Sequence, residues 1–141
     1  MTAVNKGPAI TSTPNLSLLL GSPGGGGNSV GIFSSQIIAS VSGTVDDYAP
    51  LGISPGISNL WLMTAASSPT TINGIATAGM ATGFAFLFLN QSATNSFAFA
   101  HLASTSLPQD QFSCPEGVTA ILSPLAATII VFNGTNLVFG S

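Results

Sequence analysis

Phe84-Ala85-Phe86-Leu87-Phe88-Leu89 is followed, after the turn-like run Asn90 to Ser96, by Phe97-Ala98-Phe99-Ala100-His101-Leu102. In an extended chain successive side chains point to opposite faces. The first stretch therefore places its phenylalanines on one face and Ala85, Leu87 and Leu89 on the other, and the second repeats the pattern. Outward from this pair the signals stay those of short strands between turns. Ile32 to Val41 is rich in β-branched residues and stops at Ser42-Gly43. Leu60-Trp61-Leu62-Met63 is bounded by Pro55-Gly56 and by Ser67-Ser68-Pro69. Towards the C-terminus come Val118 to Leu122, Thr128 to Phe132 and Leu137 to Phe139, the last two joined at Asn133-Gly134, a hairpin signal. No segment carries a 3.6-residue apolar stripe capped at both ends. The expectation is an all-β chain of seven or eight short strands, a jelly-roll-like sandwich or small β-barrel. No internal repeat of a length that would indicate a solenoid is visible.

Residues 1–30 read differently. They hold Pro8, Pro14 and Pro23 and then Gly24-Gly25-Gly26-Gly27, the composition of an extended arm ending in a Gly-rich hinge. Within it Leu16, Leu18, Leu19 and Leu20 form an apolar anchor suited to a partner contact. The expected organisation is thus an arm over 1–30 and a sandwich or barrel domain over 31–141.

Composition narrows the function. The chain has 141 residues, 45% of them hydrophobic and only 4% charged, against about 25% charged in ordinary soluble domains. One Lys, no Arg and four carboxylates give a net charge of −3. A folded chain of this mass exposes roughly 6,700 Å², so charges are very thinly spread. Lys6 alone cannot neutralise a run of phosphates, which argues against nucleic-acid binding. The apolar stretches Gly74 to Leu89 and Val118 to Phe132 fall short of a membrane span and lack flanking cations. Leu16 to Leu20 is too short for a signal peptide. Cys114 is the single cysteine, which rules out an intrachain disulfide and suits synthesis in a reducing cytosol.

The inventory for chemistry is small. Gly52-Ile53-Ser54-Pro55-Gly56 has the letters of a nucleophile elbow, but Pro55 lacks the N–H that would serve the oxyanion hole. His101 is the only histidine, read as a packed or interfacial ring on the face of Phe97 and Phe99. A metal site built on it needs ligands from elsewhere. Asp46 and Asp47 are adjacent and point apart in an extended segment, so they read as turn formers bonded to backbone N–H groups. Asp110 and Glu116 bracket Cys114, with no cation near to activate the thiol. Gly24 to Gly27 lacks the Lys-Ser/Thr of a phosphate loop. No catalytic residue, cofactor site or metal site is expected, and the chain is read as not an enzyme.

From about Ser42 to Phe139 the order of features resembles β-barrel domains in structural proteins of tailed bacteriophages. The resemblance rests on Ser42-Gly43-Thr44-Val45-Asp46-Asp47-Tyr48-Ala49-Pro50, on Thr71-Ile72-Asn73-Gly74-Ile75, on Phe86 to Asn90 and Phe97 to His101. Gln111-Phe112, Cys114-Pro115-Glu116-Gly117 and the strand ending at Asn133-Gly134 extend it. It departs at Gln111, where the pattern often has Arg, and at Phe139, where it has Trp. The resemblance implies a virion module, commonly trimeric, that binds or cements. The leading expectation is a homotrimeric capsid decoration protein, made in the host cytoplasm and bound to the major capsid protein on the capsid surface. The alternatives are a receptor- or glycan-binding module of a tail fibre and a self-assembling filament or surface-layer subunit. A chain that opens on Met1 also suits a complete protein better than a fibre tip.

Overall fold

The computed structural model describes residues 9–10, 36–50 and 57–140. These residues form an all-β structure without α-helix. The strands are β1 (Ala9–Ile10), β2 (Gln36–Val41), β3 (Thr44–Val45), β4 (Leu60–Ala65), β5 (Thr70–Ile72) and β6 (Ala85–Asn90). They continue as β7 (Phe97–Phe99), β8 (Phe112–Ser113), β9 (Ala120–Leu122), β10 (Ala127–Phe132) and β11 (Leu137–Gly140). One sheet has the order β1-β9-β7-β5-β3, the other β2-β4-β6-β10-β11-β8.

The chain alternates between the sheets, and each strand from β4 to β7 pairs parallel with the strand two before it. That is the winding of a short β-solenoid of three rungs, β2–β3, β4–β5 and β6–β7. It corrects the expectation that no solenoid repeat is present. Stacked partners such as Ile37, Trp61 and Phe88 lie 24 and then 27 residues apart. The unequal spacing and the loose demand for any large apolar residue hide the period from sequence comparison. The jelly-roll expectation differs in connectivity too, because a jelly roll is built from antiparallel Greek keys. Among the described strands, antiparallel pairing joins the closing elements: β9 on β7, β10 on β6, and the β10–β11 hairpin.

The rungs hold together through two devices. Inward side chains stack into one core: Phe86, Phe88, Phe97, Phe99 and Trp61 are all fully buried. Phe88 meets Phe97 and Phe99 edge-on across the sheets at ring distances of 5.0 and 5.3 Å, and Trp61 stacks on Phe86 at 4.6 Å. At the corners, where the ladder lapses, polar side chains take over. Gly43, at φ +70°, turns β2 into β3 and donates its N–H to Ser67 Oγ. Thr70 Oγ1 donates to the Val41 carbonyl, and Asn95 Nδ2 to that of Ala65. Asn90 is fully buried at the register position of Met63. Its amide donates to the carbonyls of Asn95 and Ser123 and accepts from Ser92 N–H, which offsets the cost of burying it.

The sequence placed most of the longer strands within a few residues. It missed the two-residue strands β1, β3 and β8 and the three-residue β5, which are too short for a period to register. Residues 1–8, 11–35, 51–56 and 141 lie outside the described residues, so Leu16, Leu18, Leu19 and Leu20, the glycine run and Gly52 to Gly56 do too. Within the arm, Ala9–Ile10 pairs parallel with β9 of its own chain. Truncating Phe88 removes the ring that touches both sheets. Phe88→Ala is expected to cost about 3–5 kcal/mol, read as a shift of the denaturant midpoint, and an unchanged midpoint would contradict this packing.

Candidate functional site

Of the residues singled out for chemistry, Asp46, Asp47, Asp110, His101 and Cys114 each hold a hydrogen bond to another segment of the chain. Asp46 Oδ1 accepts from Asn73 Nδ2 at 2.7 Å and from Thr105 Oγ1 at 2.6 Å. Asp47, at φ +43°, donates its N–H to Ser106 Oγ and accepts from the Leu107 N–H at 2.9 Å. Both adjacent carboxylates pin the 103–107 loop against the segment after β3, Asp46 through Thr105 and Asp47 through Leu107. Asp110 is only 3% exposed and takes the N–H and hydroxyl of Thr77 on Oδ1, at 2.8 and 2.6 Å. Beside it Gly74 bridges Gln111. A Cβ on Gly74 would come within 2.7 Å of the Asp110 carbonyl and 2.6 Å of Ser106 Oγ, so only glycine fits there.

β7 ends at Phe99, before His101. The ring is partly buried and its Nδ1 accepts the Cys114 N–H at 3.0 Å, which orders the turn entering Pro115–Gly117. Cys114 is itself buried, and its thiol donates to the Phe99 carbonyl. Burial pushes the thiol pKa up to about 11, so the nucleophilic thiolate is scarce at neutral pH. Among the described residues no three His, Cys, Asp or Glu side chains are grouped to hold a metal ion. No helix among them is long and apolar enough to cross a membrane.

The feature with binding potential is the outer face of the six-stranded sheet. Register places Ile38, Leu62, Leu89 and Ala127 side by side across β2, β4, β6 and β10. The next row runs Leu60, Leu87, Ile129, and Ala85 pairs with Val131 beyond it. Leu87, Ile129 and Ala127 form a second apolar cluster separate from the core, with Leu60, Leu89 and Val131 around it. No described strand lies over this face. Four strand spacings by a six-residue strand span on the order of 400 Å², but Leu87, Ala127 and Ile129 at its centre are buried, and Ile38 at its rim is the exposed large apolar side chain of the face. All four carboxylates lie in loops, after β3 and around the 3₁₀ turns Pro108–Asp110 and Pro115–Gly117. The alternation of Ala85, Leu87 and Leu89 against the phenylalanines announced the outer row of β6. The rows on β2, β4 and β10 depend on stacking that no short window reveals. No known protein family, no curated protein and no solved structure matches the chain.

Two measurements check these assignments. Cys114 is expected to resist a maleimide at mildly alkaline pH in the folded protein and to react at once on unfolding; fast native labelling would contradict its burial. The Thr105 and Asn73 hydrogen bonds hold the Asp46 carboxyl below its ordinary value of 3.8. With a lowered folded value, its contribution to stability is complete above the unfolded value and is lost as pH falls through the folded one. Thr105→Val is expected to raise the Asp46 titration seen by carboxyl NMR, and an unmoved titration would show that the bond does not form.

Proposed function

We propose that the chain is a non-catalytic virion structural protein, a capsid decoration protein that docks on a shell and clamps neighbouring subunits. The observation that carries this reading is the uncharged outer sheet face, whose exposed Ile38 and half-buried Leu60, Leu62 and Leu89 adjoin a buried apolar cluster, on a protein with one Lys and four carboxylates. Such a face binds by excluding water from a complementary apolar surface. A few hundred Å² buried at about 25 cal/mol per Å² gives several kcal/mol gross before association costs. Repetition over a shell multiplies that grip.

In this reading the partners are the major capsid protein and further copies of this chain, and the station is the capsid surface after synthesis in the host cytoplasm. The facing sheets with antiparallel closure by β9 to β11 support a sandwich-type module with solenoidal winding at one end. The resemblance to phage β-barrel modules points the same way. The six-residue free edge of β2 among the described residues favours a second reading, a self-assembling filament or surface-layer subunit. The sequence weighs less for a tail-fibre glycan site, since Trp61 is buried in the core.

The test is immunolabelling of purified particles viewed by electron microscopy, with a Leu62→Lys variant beside the natural chain. Regular label over the head, lost with Leu62→Lys while its circular dichroism is unchanged, is the expected result. Label confined to the tail tip would move the assignment to host recognition. Absence from particles, with filaments of the purified chain, would establish the self-assembling reading instead.

A further inference from the structure

Four strands stand at sheet edges among the described residues: β1 and β3 in one sheet, β2 and β8 in the other. β1, β3 and β8 are two residues long, and short edges are one of the ways proteins prevent unwanted pairing. β2 is the exception. It runs six residues, Gln36-Ile37-Ile38-Ala39-Ser40-Val41, without Pro or any charged residue, and pairs with β4 in unbroken register without a bulge. Among the described residues none of the usual protections is present.

Which backbone groups face outward follows from the ladder. The Val41 carbonyl accepts from Ala66 N–H, so it points toward β4. In a parallel pair, alternate residues turn both backbone groups to the same neighbour. Ile37, Ala39 and Val41 thus serve β4, and Gln36, Ile38 and Ser40 present their N–H and C=O groups at the free edge. The same three residues put their side chains on the outer face, where Ile38 is 66% exposed. Alongside the edge is a groove of about 380 Å³ lined by Ile37 to Ser40 and by Tyr48, Ala49 and Pro50.

We propose that β2 is a self-pairing edge: two copies of this chain join antiparallel through it, about a two-fold axis perpendicular to the sheet and passing at Ile38. This register is the one the edge itself selects. With Ile38 opposite its copy, Gln36 falls opposite the partner copy's Ser40 and Ser40 opposite its Gln36, and every outward N–H meets an outward C=O. The side chains then match in kind. The exposed isoleucines cover one another, and an amide sits by a hydroxyl on either side. The edge has no charge, so identical surfaces meet without repulsion, as an isologous interface requires. The two six-stranded sheets become one, and their apolar outer faces become continuous across the seam. The groove beside β2 meets its own copy there, which excludes water from the new hydrogen bonds. This pairing does not depend on the virion reading. It is two-fold, whereas the resemblance implies three-fold grouping, and the two differ in mass.

Sedimentation equilibrium of the purified chain is expected to give twice the chain mass. Ile38→Lys places a charge on the axis at an exposed position, and it is expected to halve that mass with circular dichroism at room temperature unchanged. Directly opposed residues in a hydrogen-bonded antiparallel pair have Cα atoms about 5.5 Å apart, within disulfide range. Ile38→Cys is therefore expected to form an intermolecular disulfide under mild oxidation. Gln36→Cys, whose copy lies several residues away along the seam, is expected not to, and the buried Cys114 leaves no background. A monomeric or trimeric natural chain would overturn the proposal. So would an Ile38→Lys variant that stays dimeric, or disulfide formation at position 36 and not at 38.

Discussion

Phe88 reaches across from β6 to meet Phe97 and Phe99 of β7 edge-on, and most of the architecture is arranged around those contacts. They lie in the last of the three rungs, where the solenoid stops and the closing strands begin. On one side Phe88 neighbours Trp61, which stacks on Phe86 and meets Tyr48. On the other, Phe99 meets Phe112 and Phe139, the rings brought in by β8 and β11. One aromatic column therefore runs from the second rung to the C-terminal hairpin. A purely solenoidal chain has only neighbouring rungs in contact. Here the column gives the closing strands a share of the same core.

A parallel stack needs long crossings between strands, and every crossing is a place where backbone groups lose ladder partners. This chain meets that demand with small amides and hydroxyls rather than charges. Ser67, Thr70, Asn90 and Asn95 take the corner carbonyls and N–H groups of adjacent rungs. The same economy holds for the carboxylates. Among the described residues, Asp46, Asp47 and Asp110 are bonded to hydroxyls, amides and backbone N–H groups. Low charge and an abundance of Ser, Thr and Asn are therefore two aspects of one design, in which hydrogen bonds of neutral groups do the fastening.

This explains what was legible in the sequence and what was not. The alternation of Phe84 to Leu89 is local, and it revealed β6, its buried face and its apolar outer face together. Asn133-Gly134 is local as well: Asn133 accepts from Thr135 and Asn136, and the hairpin turns there. The solenoid is not local. Ile37, Trp61 and Phe88 share a register position with three different side chains, because stacking asks for apolar volume and not identity. β3 and β5 show no period at two or three residues, yet each supplies one of the two strands of its rung. The acidic residues misled least, since their adjacency already argued against shared chemistry. Their long-range partners, Thr105 for Asp46 and Thr77 for Asp110, follow only from the fold.

The distribution of polarity then decides what kind of surface the molecule offers. The carboxylates lie in loops, while the six-stranded sheet turns an uncharged face outward. Coulomb attraction has nothing to act on at that face, so recognition there rests on shape, apolar contact and unpaired backbone groups. The first two favour any dry complementary surface, and the third favours a strand. An edge that is uncharged, regular and six residues long supplies all of these at one place, on the rim of the apolar face. Association through the rim would extend the face, and a larger apolar face gains more from each further contact.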